Sequence, residues 1–439
     1  MFLLHGVHVP HRKGTADKGA VRMAPPARVV LPMSMHIGHP AEVQVEVGDE
    51  VFVGSKIGSA SGAVSSPVFS SVSGKVVAVR DFLLASGATT KAVVIESDGK
   101  MTVASTVAPP TVTSRESFLA ALAESGIVGL GGAGFPTHIK LGAPPEKIEY
   151  LVINGAECEP YVTSDTNTML TREGEIADGL LALAEFLDVH HAIIGVESNK
   201  KRAISAMRVL ADKLADKVRL TVQVLPAVYP QGGEKVLIRH TTGRVVPNGK
   251  LPIDVGCVVL NCTTLAAIGA YLKTGMPLVE KCVTVGGGAV KNPQNVLVPI
   301  GTSMADLIAF CGGYTEEPKR LVYGGPMMGI TVPDDTAPIL KNTNAVLALT
   351  AREVRTPVET PCIHCGSCVN SCPFGLAPLM IATAAAQRDI TTLDALSVMA
   401  CMECGCCSFV CPANRPLVQT NKLAKMMLRE QKAKESAKQ

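Results

Sequence analysis

Cys362-Ile-His-Cys365-Gly-Ser-Cys368-Val-Asn-Ser-Cys372-Pro373 and Cys401-Met-Glu-Cys404-Gly-Cys-Cys407-Ser-Phe-Val-Cys411-Pro412 are one motif written twice. Each reads C-x2-C-x2-C-x3-C-P. Three thiolates two residues apart can wrap one face of an iron–sulfur cubane on a tight loop, and the fourth, ahead of proline, ligates the neighbouring cluster. The spacing predicts Cys362, Cys365, Cys368 and Cys411 on one [4Fe–4S] cluster, and Cys401, Cys404, Cys407 and Cys372 on another, close enough for electrons to hop between them. Each proline is expected to start a helix by fixing φ. Zinc ribbons use two Cys-x2-Cys pairs with a longer gap, not three cysteines in register followed by Cys-Pro. Cys406 breaks the spacing and is expected to be a packed thiol, with His364 beside the cluster or facing solvent.

The rest of the chain sets bounds. Nine of its 14 cysteines lie between Cys362 and Cys411. The opening MFLLHGVHVPHRK lacks a basic region ahead of an apolar run, so no secretion signal is read and cysteines imply metal or cluster ligation rather than disulfides. Cys158, Cys257, Cys262, Cys282 and Cys311 have no ligand spacing and default to buried apolar positions. A chain of 439 residues, 47% hydrophobic, implies two to four domains. A net charge of +3 with no Trp argues against a nucleic-acid partner. No apolar run reaches the roughly 18 residues of a membrane span, so membrane association is expected only through a partner. His5, His8 and His11, three apart, would not share one face of a strand and are not read as a metal site. His190-His191 read as turn residues before a strand.

Residues 25–105 alternate short Val/Ile-rich runs with Gly, Pro and Ser, the pattern of a small all-β domain. Gly48-Asp49-Glu50-Val51 and Ser73-Gly74-Lys75-Val76 resemble turns of a biotinyl/lipoyl-like hybrid barrel. No Met-Lys-Met tip is present, so Lys75 is expected to be a solvated strand residue. After a Pro/Ser/Thr linker at 105–114, helices and strands alternate: a helix over Ser117–Ser125, a strand over Tyr150–Asn154, a helix over Glu173–Leu187, a strand over Ala192–Val196, a helix capped by Ser198 and running to Lys217, and a strand over Leu220–Leu225. This predicts an α/β layer on a largely parallel sheet. Residues 281–330 switch to short strands with glycine turns and a helix over Ser303–Phe310, which suits a β-grasp-like module. The end, LREQKAKESAKQ, reads as a charged, frayed helix.

Two loops carry further chemistry. Gly126-Ile-Val-Gly129-Leu-Gly131-Gly132-Ala-Gly134-Phe135-Pro136-Thr137 lets backbone N–H groups approach a phosphate, although such glycines also serve as flexible connections. Asn154-Gly-Ala-Glu157-Cys-Glu159-Pro-Tyr-Val-Thr-Ser-Asp165 follows a strand, where α/β folds bind ligands; a solvated turn is the competing reading.

GLGGAGFPTHIK (129–140) followed by INGAECEP (153–160) resembles the flavin- and NADH-binding core of the flavoprotein subunit of respiratory complex I. The chain is more similar still to the RnfC subunit of Rnf-type ion-translocating electron-transport complexes, with cobalamin reductases as further relatives. HIGHPAEVQVEVGDEV (36–51), SSVSGKV (70–76), YPQGGEK (229–235) and the paired cysteine repeats carry the same resemblance. It implies a multidomain α/β and α+β chain. In order come a hybrid β-barrel (1–104), an α/β FMN/NADH-binding domain (115–265), a β-grasp, SLBB-like domain (266–350), a two-cluster ferredoxin-like helical domain (355–425) and a charged tail (426–439). It implies that Gly129, Gly131, Gly132 and Gly134 line the FMN phosphate and the nucleotide, with Phe135 near the nicotinamide or adenine ring. Lys140 would neutralise phosphate, Asn154 would hydrogen-bond the flavin, and Glu157 and Glu159 would bound the pocket. Gly232, Gly233 and Glu234 match a second family loop, Asn261 and Thr263 a third. No catalytic acid or base is assigned. Complex I has arginine where this chain has Leu130 and aspartate where it has Ala156, two polar contacts to flavin lost here. The implied activity is electron exchange between NAD(H), through FMN, and two [4Fe–4S] clusters. The implied setting is the cytoplasmic face of the membrane, with membrane and cytoplasmic subunits of the same complex as partners and ferredoxin reached through it. A soluble corrinoid reductase and a non-catalytic electron relay are the alternatives.

Overall fold

The computed structural model describes residues 5–189, 191–356 and 358–436; His190 and the final residues of the charged tail lie outside them. At the centre is a four-stranded parallel sheet, in the order Arg219–Leu225, His191–Glu197, Tyr150–Asn154, Cys257–Asn261. His191–Glu197, Tyr150–Asn154 and Cys257–Asn261 are buried, largely apolar runs because both faces are covered, whereas the edge strand Arg219–Leu225 is only half-buried. Leu151 and Ile153 join one core with the helices Glu173–Leu187, Lys201–Leu214 and Cys262–Thr274. Val152 and Val259 face the opposite side, against Leu237 and Ile238 of the helix Glu234–Thr242. Asn154 and Asn261 are register partners at the carboxyl ends of neighbouring strands. The carboxylate loop starts at Asn154, and the glycine loop reaches the same end through Gly131, which lies against the Asn261 amide.

Helix starts depart from the sequence expectation at two places. Ser114, not a residue further on, caps the helix Arg115–Glu124, in a reciprocal box with Ser117. Ser198 does not cap the helix that begins at Lys201. Its N–H bonds the Leu225 carbonyl, and a tight turn from Glu197 to Lys200 intervenes before a helix that ends at Leu214 rather than Lys217.

Two small sheets make the barrel: Arg28–Pro32, Thr89–Ser97, Gly74–Leu83 and Glu50–Val51 in one, and Glu42–Val43, Lys56–Ser59 and Val68–Phe69 in the other. Lys75 is an exposed strand residue, as expected. Residues 5–22 run outside these sheets. Val7 pairs with Tyr229, and Val21–Arg22 adds a parallel edge to the strand Gln294–Pro299. That strand belongs to a six-stranded mixed sheet completed by Glu280–Gly286, Arg320–Tyr323, Ile330–Val332 and Ala345–Leu349, with the Ser303-capped helix Met304–Phe310 packed on it.

The cysteine region is helical. Pro378–Gln387 and Leu417–Ser436 pack together, and Leu428 is buried. Pro373 and Pro412 do not open these helices, as was expected of them. The chain first turns back on itself, with Gly375 N–H on the Cys372 carbonyl and Asn414 N–H on the Cys411 carbonyl, before each helix begins. No helix among the described residues is long and apolar enough to cross a membrane.

Helices Glu173–Leu187 and Cys262–Thr274 cross at backbone distance. A Cβ at Gly269 would overlap the Glu175 carbonyl oxygen, and one at Gly179 the Leu265 carbonyl. Gly269→Ala is therefore expected to destabilise the domain by about 1–3 kcal/mol, despite alanine's better helix propensity. A chemical-denaturation midpoint at or above that of the parent would refute this.

Candidate functional site

Each cysteine set expected from the motif lines its own pocket. Cys362, Cys365, Cys368 and Cys411 surround one, together with Ile363, Leu379, Met380 and Leu417. Cys401, Cys404, Cys407 and Cys372 surround the other, with Phe374, Leu376, Met402 and Val418. Four thiols in a largely apolar lining are a donor set that fits a [4Fe–4S] cluster. Cys406 also lines the second pocket but is out of register with the repeat; it is buried, its thiol toward the Tyr229 carbonyl at 3.9 Å. His364 is exposed, and its backbone N–H donates to Cys362 Sγ at 3.3 Å.

The two pockets differ in surroundings. The Cys401 pocket lies against the α/β domain. Tyr229, 2% exposed, donates its hydroxyl to the Cys404 carbonyl at 2.7 Å. Met402 packs on Gly233, where any Cβ would collide with it. Tyr229, Cys404 and Cys406 share a core with Val7 and Val9, and Cys158, Met327 and Met402 pack against it. Around the other pocket Cys365 is exposed, as are Ile363, Val369 and Met380.

The glycine loop turns back between Gly129 and Phe135, closed by Gly129 N–H on the Phe135 carbonyl (2.8 Å) and Gly134 N–H on the Gly129 carbonyl (3.1 Å). At its exposed tip, the N–H groups of Gly131, Gly132 and Ala133 have no protein partner among the described residues. Gly132 faces open space and adopts φ +128°, which suits glycine. Gly131 lies against the Asn261 amide, and Asn342 donates to the Gly132 carbonyl at 2.8 Å. Unpartnered N–H groups on an exposed glycine turn beside a strand end fit a phosphate group such as that of FMN.

Several residues expected at the cofactor are engaged in building the walls. Lys140 donates to Glu234 at 2.7 Å and to the Val259 carbonyl at 3.1 Å. Asn154 donates to the Gly232 carbonyl and accepts from Ala156 N–H. The buried Glu157 carboxylate accepts from Asp165 N–H at 2.8 Å and from Thr166 Oγ1 at 2.7 Å, at the start of the helix Ser164–Thr171. Glu159 accepts from the N–H groups of Met327 (3.0 Å) and Met328 (2.7 Å). Asn261 caps the helix Cys262–Thr274, accepting from Thr263 and Thr264 N–H, and donates to Asp165 at 2.7 Å. Thr263 donates to the other Asp165 oxygen at 2.7 Å. Burial, then the neighbouring Glu157, lifts Asp165 to about 6. Phe135 continues from the loop into the helix Thr137–Leu141. Leu130 is buried, its N–H on Thr264 Oγ1 and its carbonyl on the Lys281 ammonium.

Family models match four consecutive segments: an RnfC barrel sandwich hybrid domain over residues 2–100, a Nuo51 FMN-binding domain over 122–270, an SLBB domain over 282–331 and a 4Fe-4S dicluster domain over 361–415. An FMN-binding domain and a dicluster domain in one chain define an iron–sulfur flavoprotein of electron transfer. The chain is 42% identical to the RnfC protein of the Na+-translocating ferredoxin:NAD+ oxidoreductase complex of Acetobacterium woodii, over 98% of this chain and 97% of that protein. It is 41% identical to the RnfC protein of the proton-translocating ferredoxin:NAD+ oxidoreductase complex of Clostridium ljungdahlii, over 88% of this chain and 84% of that one. The chain belongs to the RnfC family, within the Rnf-type ion-translocating ferredoxin:NAD+ oxidoreductase complexes. Among solved structures, an NAD+-reducing [NiFe]-hydrogenase in the air-oxidised state superposes with a TM-score of 0.51 at 21% identity, over 65% of this chain and 55% of that chain, a likeness of fold. The domain order expected from the sequence is the order of the matched models.

Sequence reasoning missed the buried cations. Lys13 donates to the carbonyls of Glu157, Glu159 and Val162 at 2.5–2.8 Å. Lys200 bonds the Glu157 carbonyl and pairs with Glu197. Lys341 donates to Ser66 Oγ and to the Pro67 and Gly126 carbonyls, tying the barrel to the glycine loop. Their acceptors are mostly main-chain carbonyls, which no side-chain spacing announces.

Burial raises the Glu159 carboxyl from 4.5 to about 6, against the pull of its two N–H donors. The folded value lies above the unfolded one, so the native protein keeps a proton that the unfolded chain releases. This contribution is complete below pH 4.5 and is lost as pH rises through 6. The unfolding free energy of the parent should thus fall relative to Glu159→Gln across that window. Parallel stability–pH curves for the two proteins would refute the assignment.

Proposed function

We propose that this chain exchanges electrons between NAD(H) and the other subunits of an ion-translocating ferredoxin:NAD+ oxidoreductase complex, at the cytoplasmic face of the membrane, in a fixed spatial order. The nucleotide site lies between the glycine loop and the strand ends at Asn154 and Asn261. The cluster of Cys401, Cys404, Cys407 and Cys372 comes next, and that of Cys362, Cys365, Cys368 and Cys411 is outermost. The partner proteins link the flow to Na+ or H+ movement, and ferredoxin is reached through them. In this reading the functional units are the expected four in order, with the helix Cys262–Thr274 kept whole in the α/β unit, the helix Leu417–Ser436 kept whole in the cluster unit, and residues 5–22 outside the barrel.

Bound FMN supplies the exchange between hydride and single electrons, and bound clusters carry the single electrons onward. The chain's part is positioning. Gly131, Gly132 and Ala133 offer N–H groups to phosphate. Glu234 holds Lys140 against the strand Cys257–Asn261, where it also donates to the Val259 carbonyl. Asn154 fixes the 229–234 loop through the Gly232 carbonyl. The observation that carries the order is the contact of Tyr229 and Gly233 with Cys404 and Met402, beside the exposure of Cys365 at the other pocket.

The test is the visible spectrum of the anaerobically reconstituted chain, with NADH and then with dithionite. NADH is expected to bleach the cluster absorbance of the parent. Cys365→Ala should keep NADH bleaching of its remaining cluster. Cys401→Ala should lose NADH bleaching while dithionite still bleaches what remains. The opposite pattern would reverse the order, and bleaching of the parent by dithionite alone would remove the NADH route.

A further inference from the structure

The two cysteine repeats make near-equivalent pockets. Leu379 and Leu417 line one where Val418 and Pro378 line the other, each pair at matching distances from its repeat. The equivalence fails on the helices that follow. Asn421, twenty residues beyond Cys401, corresponds to Ala382, twenty residues beyond Cys362. Asn421 lines the Cys401 pocket, is 1% exposed, and directs Nδ2 at Cys401 Sγ at 3.6 Å. Among the described residues its Oδ1 has no partner, and the sulfur contact is the side chain's one polar engagement there. One turn further on the same face, Lys425 donates to the Cys401 carbonyl at 2.9 Å and to Glu403 at 2.5 Å, where the other repeat has Ala386. The Cys362 pocket has the His364 backbone N–H and the Ser367 hydroxyl near its sulfurs, but no buried amide.

A buried amide with one unpartnered oxygen is costly, and a better-packed leucine would fit a purely structural role. A reduced cluster carries one more negative charge than an oxidised one, and an N–H donor on a ligand sulfur favours the reduced form. We propose that Asn421, supported by Lys425, is a positioning residue that raises the reduction potential of the Cys401–Cys404–Cys407–Cys372 cluster, so that the cluster facing the α/β domain is tuned independently of the outer one. This rests on the ligand sets proposed above.

The experiment is an EPR-monitored redox titration of the full chain, reconstituted anaerobically, for the parent, Asn421→Leu and Asn421→Ala, with iron counted in each. About eight irons per chain, four to each cluster, would uphold the ligand reading. The expected result is that one of two midpoints falls and the other stays. At a fixed potential the reduced-to-oxidised ratio of that cluster should drop roughly three- to tenfold, the span of one hydrogen bond of ordinary strength. In a Cys365→Ala background, where only the inner cluster remains, the surviving signal should move. Full iron with unmoved midpoints would overturn the inference and leave the ligand sets standing. Loss of about four irons in both Asn421 variants would also overturn it, by showing that the amide holds the cluster rather than tunes it. A parent that takes up far fewer than eight irons would fail the ligand reading itself.

Discussion

A loop that leaves the end of a parallel strand and folds inward takes main-chain carbonyls away from water, and each needs a donor. Residues 154–163 are such a loop, and the rest of the molecule is arranged around its need. Lys13 and Lys200 bring ammonium groups to its carbonyls. Lys13 is drawn from the N-terminal segment, so that segment is pinned across the α/β domain instead of staying with the barrel. The loop's own side chains then reach outward. Glu157 organises the next helix, Glu159 holds the Met327–Met328 turn of the β-grasp sheet, and Asn154 holds the loop at Gly232. Because that last loop carries Tyr229 and Gly233, the seat of the inner cysteine pocket depends on the same knot.

This arrangement explains what could be read from the sequence. The cysteine repeats were legible because their spacing encodes a local wrap, and the crossing of the fourth cysteine follows from it; both pockets gather the sets the spacing implied. The parallel sheet was legible because apolar runs alternate with helical periodicity. Glu157 and Glu159 were legible as special but not in their use, since a carboxylate in a loop looks the same whether it meets a ligand or caps a helix. The lysines were illegible. A buried ammonium among carbonyls leaves no pattern, and burial depends on chain segments far apart in sequence, such as Lys341 against Gly126. The turns after Pro373 and Pro412 were misjudged because proline's fixed φ suits a turn as well as a helix start.

A duplicated motif is symmetric and by itself gives an electron no direction. Two clusters held by matching loops, with equal surroundings, would be interchangeable. Asymmetry has to come from what the flanking chain adds to each copy. On one side it adds Tyr229, Met402 against Gly233, and a buried amide and ammonium on the following helix. On the other it adds exposure: Cys365 with Ile363, Val369 and Met380 around it. Under the proposed order, the first set fixes an N–H and an ammonium beside the inner pocket, which would make that cluster's energy a property of the protein. The second leaves an edge where a partner's surface can approach within electron-transfer reach, at the cost of leaving that cluster's energy open to whatever docks there. A chain built this way keeps its internal step constant and leaves its external step to be set by the complex it joins.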